Sequence, residues 1–404
     1  MAQTVSATTV LDTLHERGFV AQVSDEPALR RVLESGPISV YQGFDPTANS
    51  LHTGSLVGIM ALAHFQRAGH RPIAVVGGGT GMIGDPTDRS DTRPLLSVEK
   101  IEHNVSGIRR QFERYLDFGN DRAKLVNNAD WLLGLRYIEF LRDVGRHFTI
   151  NQLMQHGTYW ERFQAESFSF IELNYALVQA YDFLHLYRTE RCVLQIGGND
   201  QWFNILAGRD LIRRSESAEA FALTTPLITN TSGEKFGKTA GNAVWLDPEQ
   251  TSPYEFYQYW RNTEDSDVGR FLRMFTFLPI DAIAQLEQRT GADINSAKEV
   301  LAFEATRITH GEEEAQRAQA TARAWFSGQG TAEGPSIVVS RPTRLEELAL
   351  EAGLVESLSD AKRQIRAGGL RVNGQPQERD RVVDPAELPL LLSLGKRKVQ
   401  LVSG

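Results

Sequence analysis

A strand, a helix and a second strand follow one another within roughly forty residues near the start of the chain, and this order constrains the fold most. The apolar segments PISVYQGFDP (37–46) and RPIAVVGG (71–78) predict the two strands. Between them, SLHTGSLVGIMALAHFQRAG (50–69) predicts a helix that Ser50 caps and Gly69 ends. Strands joined in this way lie parallel in one sheet with a right-handed crossover, so the sequence predicts an α/β fold.

A later segment, RCVLQIGGNDQW (191–202), again has the pattern of a buried strand that ends in glycine and polar residues. Three such strands favour a doubly wound parallel sheet with its functional site at the carboxyl ends of the strands. Helical patterns dominate residues 1–35 and, beyond the sheet, residues 250–325.

Composition and charge exclude several classes of protein. The single cysteine, Cys192, rules out an intrachain disulfide and favours the cytosol. No apolar run approaches the ~20 residues of a membrane span, and the first residues lack a signal-peptide pattern. We therefore expect a cytoplasmic protein that does not contact membranes.

A net charge of −8 argues against a protein that coats nucleic acid non-specifically, although residues 341–404 carry 11 Lys and Arg against 9 Asp and Glu.

The segment VVGGGTGMIGDPT (75–87) contains the pattern G-x-G-x-x-G, which is typical of dinucleotide-binding sites. Such a site needs its third glycine in the first turn of a helix and an acidic residue about 20 positions later, at a strand end. Here Asp85-Pro86 follows directly, and residues 100–110 are predicted to be helical. The context therefore excludes an NAD enzyme. What remains is a strand that ends in a glycine turn with one carboxylate, Asp85. Taken alone, this pattern predicts an ordinary aspartate on the protein surface.

Two segments carry residues suited to phosphate chemistry. GFDPTANSLHTGS (43–55) places His52 and Ser55 at a helix start, where backbone N–H groups favour anions. GEKFGKT (233–239) carries Lys235 and Lys238, and mobile lysine charges suit a polyphosphate whose charge shifts during a reaction. Taken alone, His52 in the first segment would be an ordinary packing or capping histidine. The second segment would be a charged hairpin exposed to solvent.

Together these segments resemble the HIGH and KMSKS signatures of class I aminoacyl-tRNA synthetases. YQGFDPTANSLHTG, VVGGGTGMIGDPT, NYALVQAYDFLHLY, LQIGGNDQW and KFGKT are similar, in this order, to segments of the bacterial tyrosyl-tRNA synthetase family. The resemblance covers nearly the whole chain. It implies activation of L-tyrosine by ATP with Mg²⁺, transfer of the tyrosyl group to tRNA(Tyr), and a homodimer. No Cys/His cluster indicates zinc, and no tightly bound cofactor is expected.

The resemblance also implies three sets of functional residues. The implied tyrosine-binding residues are Tyr41, Asp85, Tyr175, Gln179, Asp182, Gln195 and Gln201. The implied ATP- and adenylate-binding residues are Gly43, Asp45, His52, Ser55, Gly197, Asp200, Lys235 and Lys238. The implied catalytic residues are His52, Lys235, Lys238, Thr239, Arg89 and Arg93.

Within the implied tyrosine site, Tyr41 and Asp182 would receive the phenolic hydroxyl, so phenylalanine would leave both without a partner. Tyr175, Gln179 and Asp182 are spaced i, i+4, i+7 and can share one helical face, although core packing explains the same pattern. Asp200 has an alternative interpretation as a helix N-cap.

Three positions depart from the family pattern. Ser55 replaces the last histidine of HIGH, Gln42 stands where a small thiol residue is common, and Phe203 stands where glycine is usual. Ser55 can hydrogen-bond but carries no charge, and Phe203 is predicted to crowd the loop beside Gln201.

The resemblance divides the chain into domains. Residues 1–225 are predicted to form a Rossmann-like catalytic domain, with a helical dimer-interface insertion near 120–190. Residues 226–326 would hold the KFGKT loop and a helical anticodon-binding domain, and 327–341 is a Gly/Ser/Pro-rich linker. Residues 342–404 would form a small α+β RNA-binding domain.

The tail contains two amphipathic helical patterns and a hairpin signal at Asn373-Gly374. Its basic residues are candidates for contact with an RNA backbone, although such charges are usually only solvated. The candidate RNA-binding residues are Lys362, Arg363, Arg366 and Arg371.

Two interpretations of function are compatible with these patterns. One is a tyrosine-activating ligase, and the other is an RNA-binding protein on a synthetase scaffold that has lost catalysis. The chain retains His52, Asp200 and both lysines of KFGKT, which favours the ligase.

Overall fold

The computed structural model describes residues 9–85, 97–154, 157–164, 168–229, 238–239, 242–326, 336–395 and 397–403. The chain forms two compact units. One comprises Met1–Ser252 and Trp260–Thr309, and the other comprises Pro253–Tyr259 and His310–Gly404. These units do not follow the predicted domain boundaries, which remain a prediction. No described helix combines the length and apolarity needed to cross a membrane.

A six-stranded sheet organises the first unit. Its strands are β1 Gln22–Val23, β2 Ser39–Phe44, β3 Arg71–Val76, β4 Lys124–Asn127, β5 Cys192–Gly198 and β6 Phe221–Thr225. They lie in the order β1-β6-β5-β2-β3-β4, and only β1 is antiparallel to its neighbour. From β2 the chain moves outward to β3 and β4, then returns to the other side of β2 for β5 and β6. The predicted doubly wound sheet is confirmed, with its switch point between β2 and β5.

Helices pack on both faces of this sheet and continue beyond it. Those that precede β6 are α1 Val10–Glu16, α2 Glu26–Ser35, α3 Leu56–Arg67, α4 Val98–Phe112, α5 Ala129–Leu132, α6 Tyr137–Asp143, α7 Ile150–Met154, α8 Gly157–Gln164, α9 Phe170–Glu190 and α10 Trp202–Glu216. Those that follow are α11 Pro253–Arg261, α12 Val268–Phe275, α13 Ile280–Glu287, α14 Ile294–His310 and α15 Glu312–Phe326. A short hairpin, β7 Lys238–Thr239 with β8 Asn242–Ala243, lies between β6 and α11.

The longest helix, α9, has strong local signals at both ends. Ser169 and Glu172 form a capping box at its start, with the Ser169 N–H donating to Glu172 Oε2 at 2.9 Å. Arg191 ends it in the left-handed conformation, with φ of 52°. These caps fix the residues at which α9 begins and ends.

The predicted start of α3 is wrong. Ser50 caps no helix, because its buried hydroxyl donates to Leu51 O at 2.7 Å and α3 begins only at Leu56. The backbone around His52 is held extended, since the Thr53 N–H donates to Val244 O and the Leu246 N–H donates to Leu51 O, both at 2.9 Å, and only a 3₁₀ helix, Thr53–Ser55, precedes α3. This long-range pairing overrides the local helix signal. Gly69 follows the end of the helix as predicted, with φ of 89°.

The second unit contains most of α11, all of α15, a five-stranded sheet and the two predicted helices α16 Leu345–Glu351 and α17 Leu358–Arg366. Its strands are β9 Ser336–Val339, β10 Thr343–Arg344, β11 Leu370–Val372, β12 Gln375–Pro376, β13 Val382–Val383, β14 Leu390–Leu394 and β15 Arg397–Ser403. The sheet order is β12-β11-β14-β15-β9, while β10 pairs with β13. Asn373 and Gly374 form the predicted hairpin turn, both with positive φ.

Part of the predicted linker is structured. Strand β9, inside residues 327–341, pairs in parallel with β15, and Val339 is buried in the core of the second unit. Its hydrogen bonds come from the end of the chain, so the local Gly/Ser/Pro composition did not reveal it.

Candidate active site

A cavity of about 260 Å³ opens at the carboxyl ends of β2 and β5, the strands that flank the switch point. All seven implied tyrosine-binding residues line it, together with four implied nucleotide-binding residues. Those four are Gly43, Asp45, Gly197 and Asp200. The doubly wound order explains this convergence, because the carboxyl ends of parallel strands meet at one edge of the sheet.

One end of the cavity pairs an aromatic hydroxyl with a carboxylate. Tyr41 on β2 is 2% exposed and Asp182 on α9 is 4% exposed. The Tyr41 ring packs edge-on against Phe183, with centroids 5.3 Å apart. Its buried hydroxyl has no hydrogen-bond partner among the described residues. Because buried polar atoms normally have a partner, this hydroxyl indicates where a polar group of a ligand would bind.

Asp182 is held by two donors that lie outside its own helix, α9. Asn128 Nδ2 donates to one carboxylate oxygen at 2.9 Å, and Trp131 Nε1 donates to the other at 2.7 Å. Burial raises the pKa of Asp182 to about 7, and these two hydrogen bonds oppose the rise. Burial also raises the pKa of Tyr41 well above its usual value, so this hydroxyl stays protonated.

The sequence patterns did not predict Asn128 and Trp131 as the residues that hold Asp182. A signal for Asn128 was present, because LVNN (125–128) is an apolar pair followed by asparagines, as at the carboxyl end of a strand. No local pattern marks Trp131, whose indole stacks on His185 with centroids 4.5 Å apart.

The glycine turn after β3 carries Asp85 into the cavity wall. Gly84 has φ of 84°, a conformation that favours glycine, and the next residue, Asp85, is buried. Gln201 Nε2 donates to Asp85 Oδ2 at 2.7 Å. The Gly78 N–H donates to Asn127 Oδ1 at 3.1 Å, and a Cβ at Gly78 would lie 2.1 Å from that oxygen. The turn therefore depends on glycine for close packing.

A short 3₁₀ helix, Thr80–Met82, lies within the glycine segment before Gly84. Gly84, the third glycine of the G-x-G-x-x-G pattern, and Asp85 are not helical. This geometry agrees with the rejection of a dinucleotide site. The alternative of a surface aspartate is wrong, since Asp85 lines the cavity.

The predicted face of α9 is formed. Tyr175, Gln179 and Asp182 all line the cavity, so a cavity rather than a packed core lies against this face. The Oε1 atoms of Gln179 and of Gln195 on β5 are buried without a hydrogen-bond partner among the described residues. Two acceptors are therefore available to a donor-rich ligand group.

Asp200 lines the cavity but is not a helix cap. Gly198 occupies the N-cap of the 3₁₀ helix Asn199–Gln201, and no side chain caps that helix. Gln201 Nε2 donates to Asp200 Oδ2 at 3.0 Å, besides its bond to Asp85. Gln201 thus connects two carboxylates of the wall.

His52 and Ser55 are not among the residues that line the cavity. His52 Nδ1 accepts the Gly54 N–H at 3.0 Å, and its ring lies edge-on to Trp245 with centroids 6.1 Å apart. His52 therefore caps the 3₁₀ helix Thr53–Ser55, as its ordinary interpretation predicted. Its catalytic role remains a prediction.

The remaining implied catalytic residues have no described side chain. Arg89, Arg93 and Lys235 lie outside the described residues. Lys238 and Thr239 form strand β7, for which only the backbone is described.

The Phe203 side chain points toward a part of the structure that the sequence did not indicate. Its ring lies edge-on to Tyr159, with centroids 5.5 Å apart, and it packs against an apolar cluster that includes Leu153 and Ala176. The predicted crowding of the Gln201 loop is relieved because the ring packs toward the helices between β4 and β5.

In the second unit, the four candidate RNA-binding residues are exposed on α17 and β11. Arg363 Nη2 lies 2.5 Å from Asp360 Oδ1, and Lys362 Nζ lies 3.7 Å from Glu346 Oε1. Both cations are themselves exposed, whereas Asp360 is half-buried and Glu346 is buried, so the solvent-facing side of each cation stays accessible.

Comparison with known proteins gives one consistent result. The family model described as tRNA synthetases class I (W and Y) matches residues 33–327. The chain is 50% identical over 371 residues to a tyrosine--tRNA ligase of Clostridium botulinum, covering 91% of both chains. It is 48% identical over 425 residues to that of Desulfosudis oleivorans, covering 97% of this chain and 98% of the relative.

Solved structures agree. A C-terminally truncated mitochondrial tyrosyl-tRNA synthetase of Aspergillus nidulans superposes with a TM-score of 0.73 and 30% identity, covering 80% of this chain and 95% of that chain. The tyrosyl-tRNA synthetase of Archaeoglobus fulgidus, solved with L-tyrosine, has a TM-score of 0.57 and 18% identity, covering 77% and 99% of the two chains. The second likeness concerns the fold alone.

Proposed function

Because the chain belongs to the class I tyrosyl-tRNA synthetase family, we propose that it activates L-tyrosine with ATP and charges tRNA(Tyr). The tyrosine carboxylate attacks the α-phosphorus of ATP, and pyrophosphate leaves. A ribose hydroxyl at the tRNA end then attacks the activated carbonyl, the bond between that carbonyl carbon and the phosphate oxygen breaks, and AMP leaves. Neither step needs an enzyme nucleophile, so the chain contributes positioning and charge stabilisation.

One observation carries this proposal: the Tyr41 hydroxyl, unpaired among the described residues, and the Asp182 carboxylate wall the same cavity. A phenol supplies what both groups lack, since its O–H donates to the carboxylate and its oxygen accepts from Tyr41. Asn128 and Trp131 hold the carboxylate in place before the ligand arrives. This preorganisation lowers the cost of binding.

The rest of the cavity suits a cation. Besides Asp182, the lining contains three carboxylates, Asp45, Asp85 and Asp200, and no lysine or arginine among the described residues. The free Oε1 atoms of Gln179 and Gln195 accept further hydrogen bonds. We assign this region to the ammonium group of tyrosine, which carries three N–H donors.

The triphosphate needs positive charge that this lining does not supply. We propose that Lys235, Lys238, Arg89 and Arg93 provide this charge. Thr239, His52, Ser55 and the 3₁₀ helix that follows His52 would contribute hydrogen bonds to the phosphates. Mg²⁺ would accompany ATP, held chiefly by phosphate oxygens rather than by a protein cage. The acidic lining of the cavity agrees with placing the ammonium group inside it and the triphosphate outside it, because the carboxylates would repel a phosphate whose charge is not compensated.

Tyrosine-dependent exchange of pyrophosphate into ATP tests the activation step, and charging of tRNA(Tyr) tests the transfer. We expect both activities with tyrosine. Absence of exchange together with intact RNA binding would instead support an RNA-binding protein on the same scaffold.

We expect tyrosine binding to strengthen as the pH rises through about 7. Asp182, with its pKa of about 7, accepts the phenol best when ionised, and it is protonated at lower pH. Because bonds to charged groups are about 1 kcal/mol stronger than neutral ones, the Kd should fall roughly 3- to 10-fold between pH 5.5 and 8.5. Calorimetric titration with tyrosine measures this, and phenylalanine serves as the control ligand. A flat profile for tyrosine would contradict the assignment.

An exposed apolar surface supports a homodimer. Nine of the fourteen exposed large apolar side chains among the described residues lie between Leu133 and Ile171, inside the predicted insertion. Phe140, Val144 and Phe148 of the same segment pack inward instead, so its apolar stripe serves both a core and a surface. Four of the nine, Leu133, Tyr137, Phe170 and Ile171, line one apolar groove. Exposed apolar surface of this kind is typical of an interface, and we propose a second copy of the chain as its partner.

Replacing Ile138 with glutamate should dissociate this dimer. Ile138 is 73% exposed, and a symmetric interface would bury two new carboxylates. We expect the dimer Kd to rise by roughly 100-fold or more, which sedimentation equilibrium detects as loss of a species of twice 45.1 kDa. Val338, 60% exposed in the second unit, provides the matched control as V338E. A wild-type chain that sediments as a monomer would overturn the proposal.

The remaining assignments also rest on the family. We propose that α11–α15 form the anticodon-binding region and that Lys362, Arg363, Arg366 and Arg371 contact the tRNA backbone. The cytoplasm, where protein synthesis uses charged tRNA, is the proposed location.

A further inference from the structure

Ser50 belongs to none of the implied sets of functional residues, yet its hydroxyl makes all three hydrogen bonds that a hydroxyl can make. Its side chain is buried and donates to Leu51 O at 2.7 Å. The same oxygen accepts from Gln111 Nε2 at 3.1 Å and from the Asp247 N–H at 3.2 Å. Gln111 Oε1 in turn accepts the Leu51 N–H at 2.9 Å. Because Gln111 belongs to α4 and Asp247 lies beyond β8, this hydroxyl joins three parts of the chain that meet only after folding.

Residues 46–53 form the His52 segment, and one face of α4 holds this segment in place. Asn104, which is fully buried, donates from Nδ2 to Pro46 O at 2.8 Å. Gly107 lies about one turn further along the helix, where a Cβ would lie 2.1 Å from a carbonyl oxygen of the segment. Gln111 follows on the same face, because residues spaced i, i+3 and i+7 are neighbours on a helix surface. These contacts extend along the segment, so its backbone is fixed relative to α4.

The hairpin that carries Lys238 is attached to the same segment. In this hairpin, Lys238 of β7 pairs with Ala243 of β8. The next residue, Val244, accepts the Thr53 N–H at 2.9 Å, and the pairing continues as far as the Ser50 hydroxyl. Hydrogen bonds therefore connect the backbone of Lys238 to the segment that α4 holds. These are two of the elements to which the proposed function assigns the triphosphate.

We propose that Ser50 and Gln111 are positioning residues for the triphosphate of ATP, because they fix the spacing between the His52 segment and the Lys238 hairpin. This inference rests on the proposed function, which assigns both elements to the phosphates. Neither Ser50 nor Gln111 is among the residues that line the cavity, so neither contacts the amino acid there. Groups that stabilise the leaving pyrophosphate act best when they are already in place, since they then need no rearrangement during the reaction. Ser50 and Gln111 supply this order through other groups.

The first test replaces Gln111 with methionine, which keeps the length of the side chain and removes both of its hydrogen bonds. In pyrophosphate exchange, we expect kcat/KM for ATP to fall roughly 5- to 100-fold, the range for two neutral hydrogen bonds. The Kd for tyrosine, measured by calorimetry, should not change. Ser106, an exposed serine on α4, provides the matched control as S106A and should keep the wild-type values. Equal losses for ATP and tyrosine would indicate a general disturbance and contradict the proposal.

The second test compares the two steps of the reaction in Q111M and in Ser50→Ala. Transfer of the tyrosyl group from the preformed adenylate to tRNA(Tyr) involves no β- or γ-phosphate. We therefore expect both variants to transfer at the wild-type rate in a single turnover while they activate tyrosine more slowly. The double variant S50A/Q111M should lose less activation than the product of the single losses, since both side chains belong to one network. A transfer rate reduced as much as activation, or fully multiplicative losses, would overturn the proposal.

The third test needs no substitution in the protein interior. Gln250, which is exposed, donates from Nε2 to Asn49 Oδ1 at 3.1 Å and so links the same two parts of the chain at the surface. Q250A should fold normally, and we expect kcat/KM for ATP to fall roughly 2-fold, as for one weak neutral hydrogen bond. Gln316, whose Nε2 bonds to Glu312 within α15, provides the matched control as Q316A. Unchanged ATP kinetics in both Q111M and Q250A would refute the positioning role.

These measurements separate this inference from the proposed function. Exchange activity that is indifferent to Ser50 and Gln111 would refute the positioning role and leave the ligase intact. A wild-type chain without exchange would refute the ligase. In that chain, a Kd for ATP that still rises in Q111M would support the positioning role, and an unchanged Kd or no ATP binding would refute it as well.

Discussion

Replacing Asp182 with alanine is expected to remove most of the preference for tyrosine over phenylalanine. The carboxylate is buried, already holds two donors, and lies where the phenolic O–H would point. A hydrogen bond to a charged group contributes about 1.5–3 kcal/mol, so kcat/KM for tyrosine should fall roughly 10- to 150-fold. Phenylalanine has no hydroxyl to lose, and its kcat/KM should stay the same or rise, because the buried charge is gone.

Pyrophosphate exchange with each amino acid measures the ratio. Tyr41→Phe should narrow the preference in the same direction but less, since a neutral hydroxyl makes a weaker bond than a carboxylate. Asp130, an exposed carboxylate on α5, provides the matched control as D130A and should leave the ratio unchanged. If D182A discriminated as well as the wild type, the phenol would bind elsewhere and the pocket assignment would be wrong.

Replacing Arg17 with alanine is expected to cause the largest loss of stability. Arg17 is 7% exposed, and its Nη1 donates to Arg273 O and Thr276 O at 2.9 Å. Its Nη2 donates to Leu278 O at 2.7 Å. These carbonyls lie at and just beyond the end of α12, where a helix leaves its last carbonyls without partners. One guanidinium thereby joins the beginning of the chain to a segment more than 250 residues later.

Without this side chain, buried carbonyls lose a charged donor. We expect the free energy of unfolding of the first unit to fall by about 3–5 kcal/mol, measured by urea denaturation. Arg17→Lys should recover only part of the loss, because an ammonium lacks the planar fork that serves several carbonyls. Arg31, exposed on α2, is the matched control as R31A and should change stability by less than about 0.5 kcal/mol. Equal stability of R17A and R31A would show that the carbonyls find other partners.

Local patterns predicted much of this protein. The order of strands and helices predicted the doubly wound sheet, since a crossover connection permits only a parallel pairing. The glycine turn predicted a carboxylate at the end of β3, and the i, i+4, i+7 spacing predicted the shared face of Tyr175, Gln179 and Asp182. Each of these follows from backbone geometry over a few residues, which the sequence displays directly.

Other features had no local signal or had a misleading one. Ser50 has the chemistry of a helix cap, but pairing of the neighbouring backbone with residues 244–246 moves the helix start to Leu56. Strand β9 lies in a segment with the composition of a linker, and its partner is the last strand of the chain. In both cases a hydrogen-bonding partner distant in sequence decides the conformation.

The sequence by itself therefore determined the doubly wound parallel arrangement of β2, β3 and β5, the glycine turn with Asp85 and the resemblance that connects the chain to its family. Only the tertiary structure decided that Asn128 and Trp131 hold Asp182 and that His52 is not among the residues that line the cavity. The physical reason is the range of the interactions. Dihedral preferences and periodicity act over a few neighbouring residues, whereas burial, pKa and the pairing of polar atoms depend on groups that meet only when the sheet has formed.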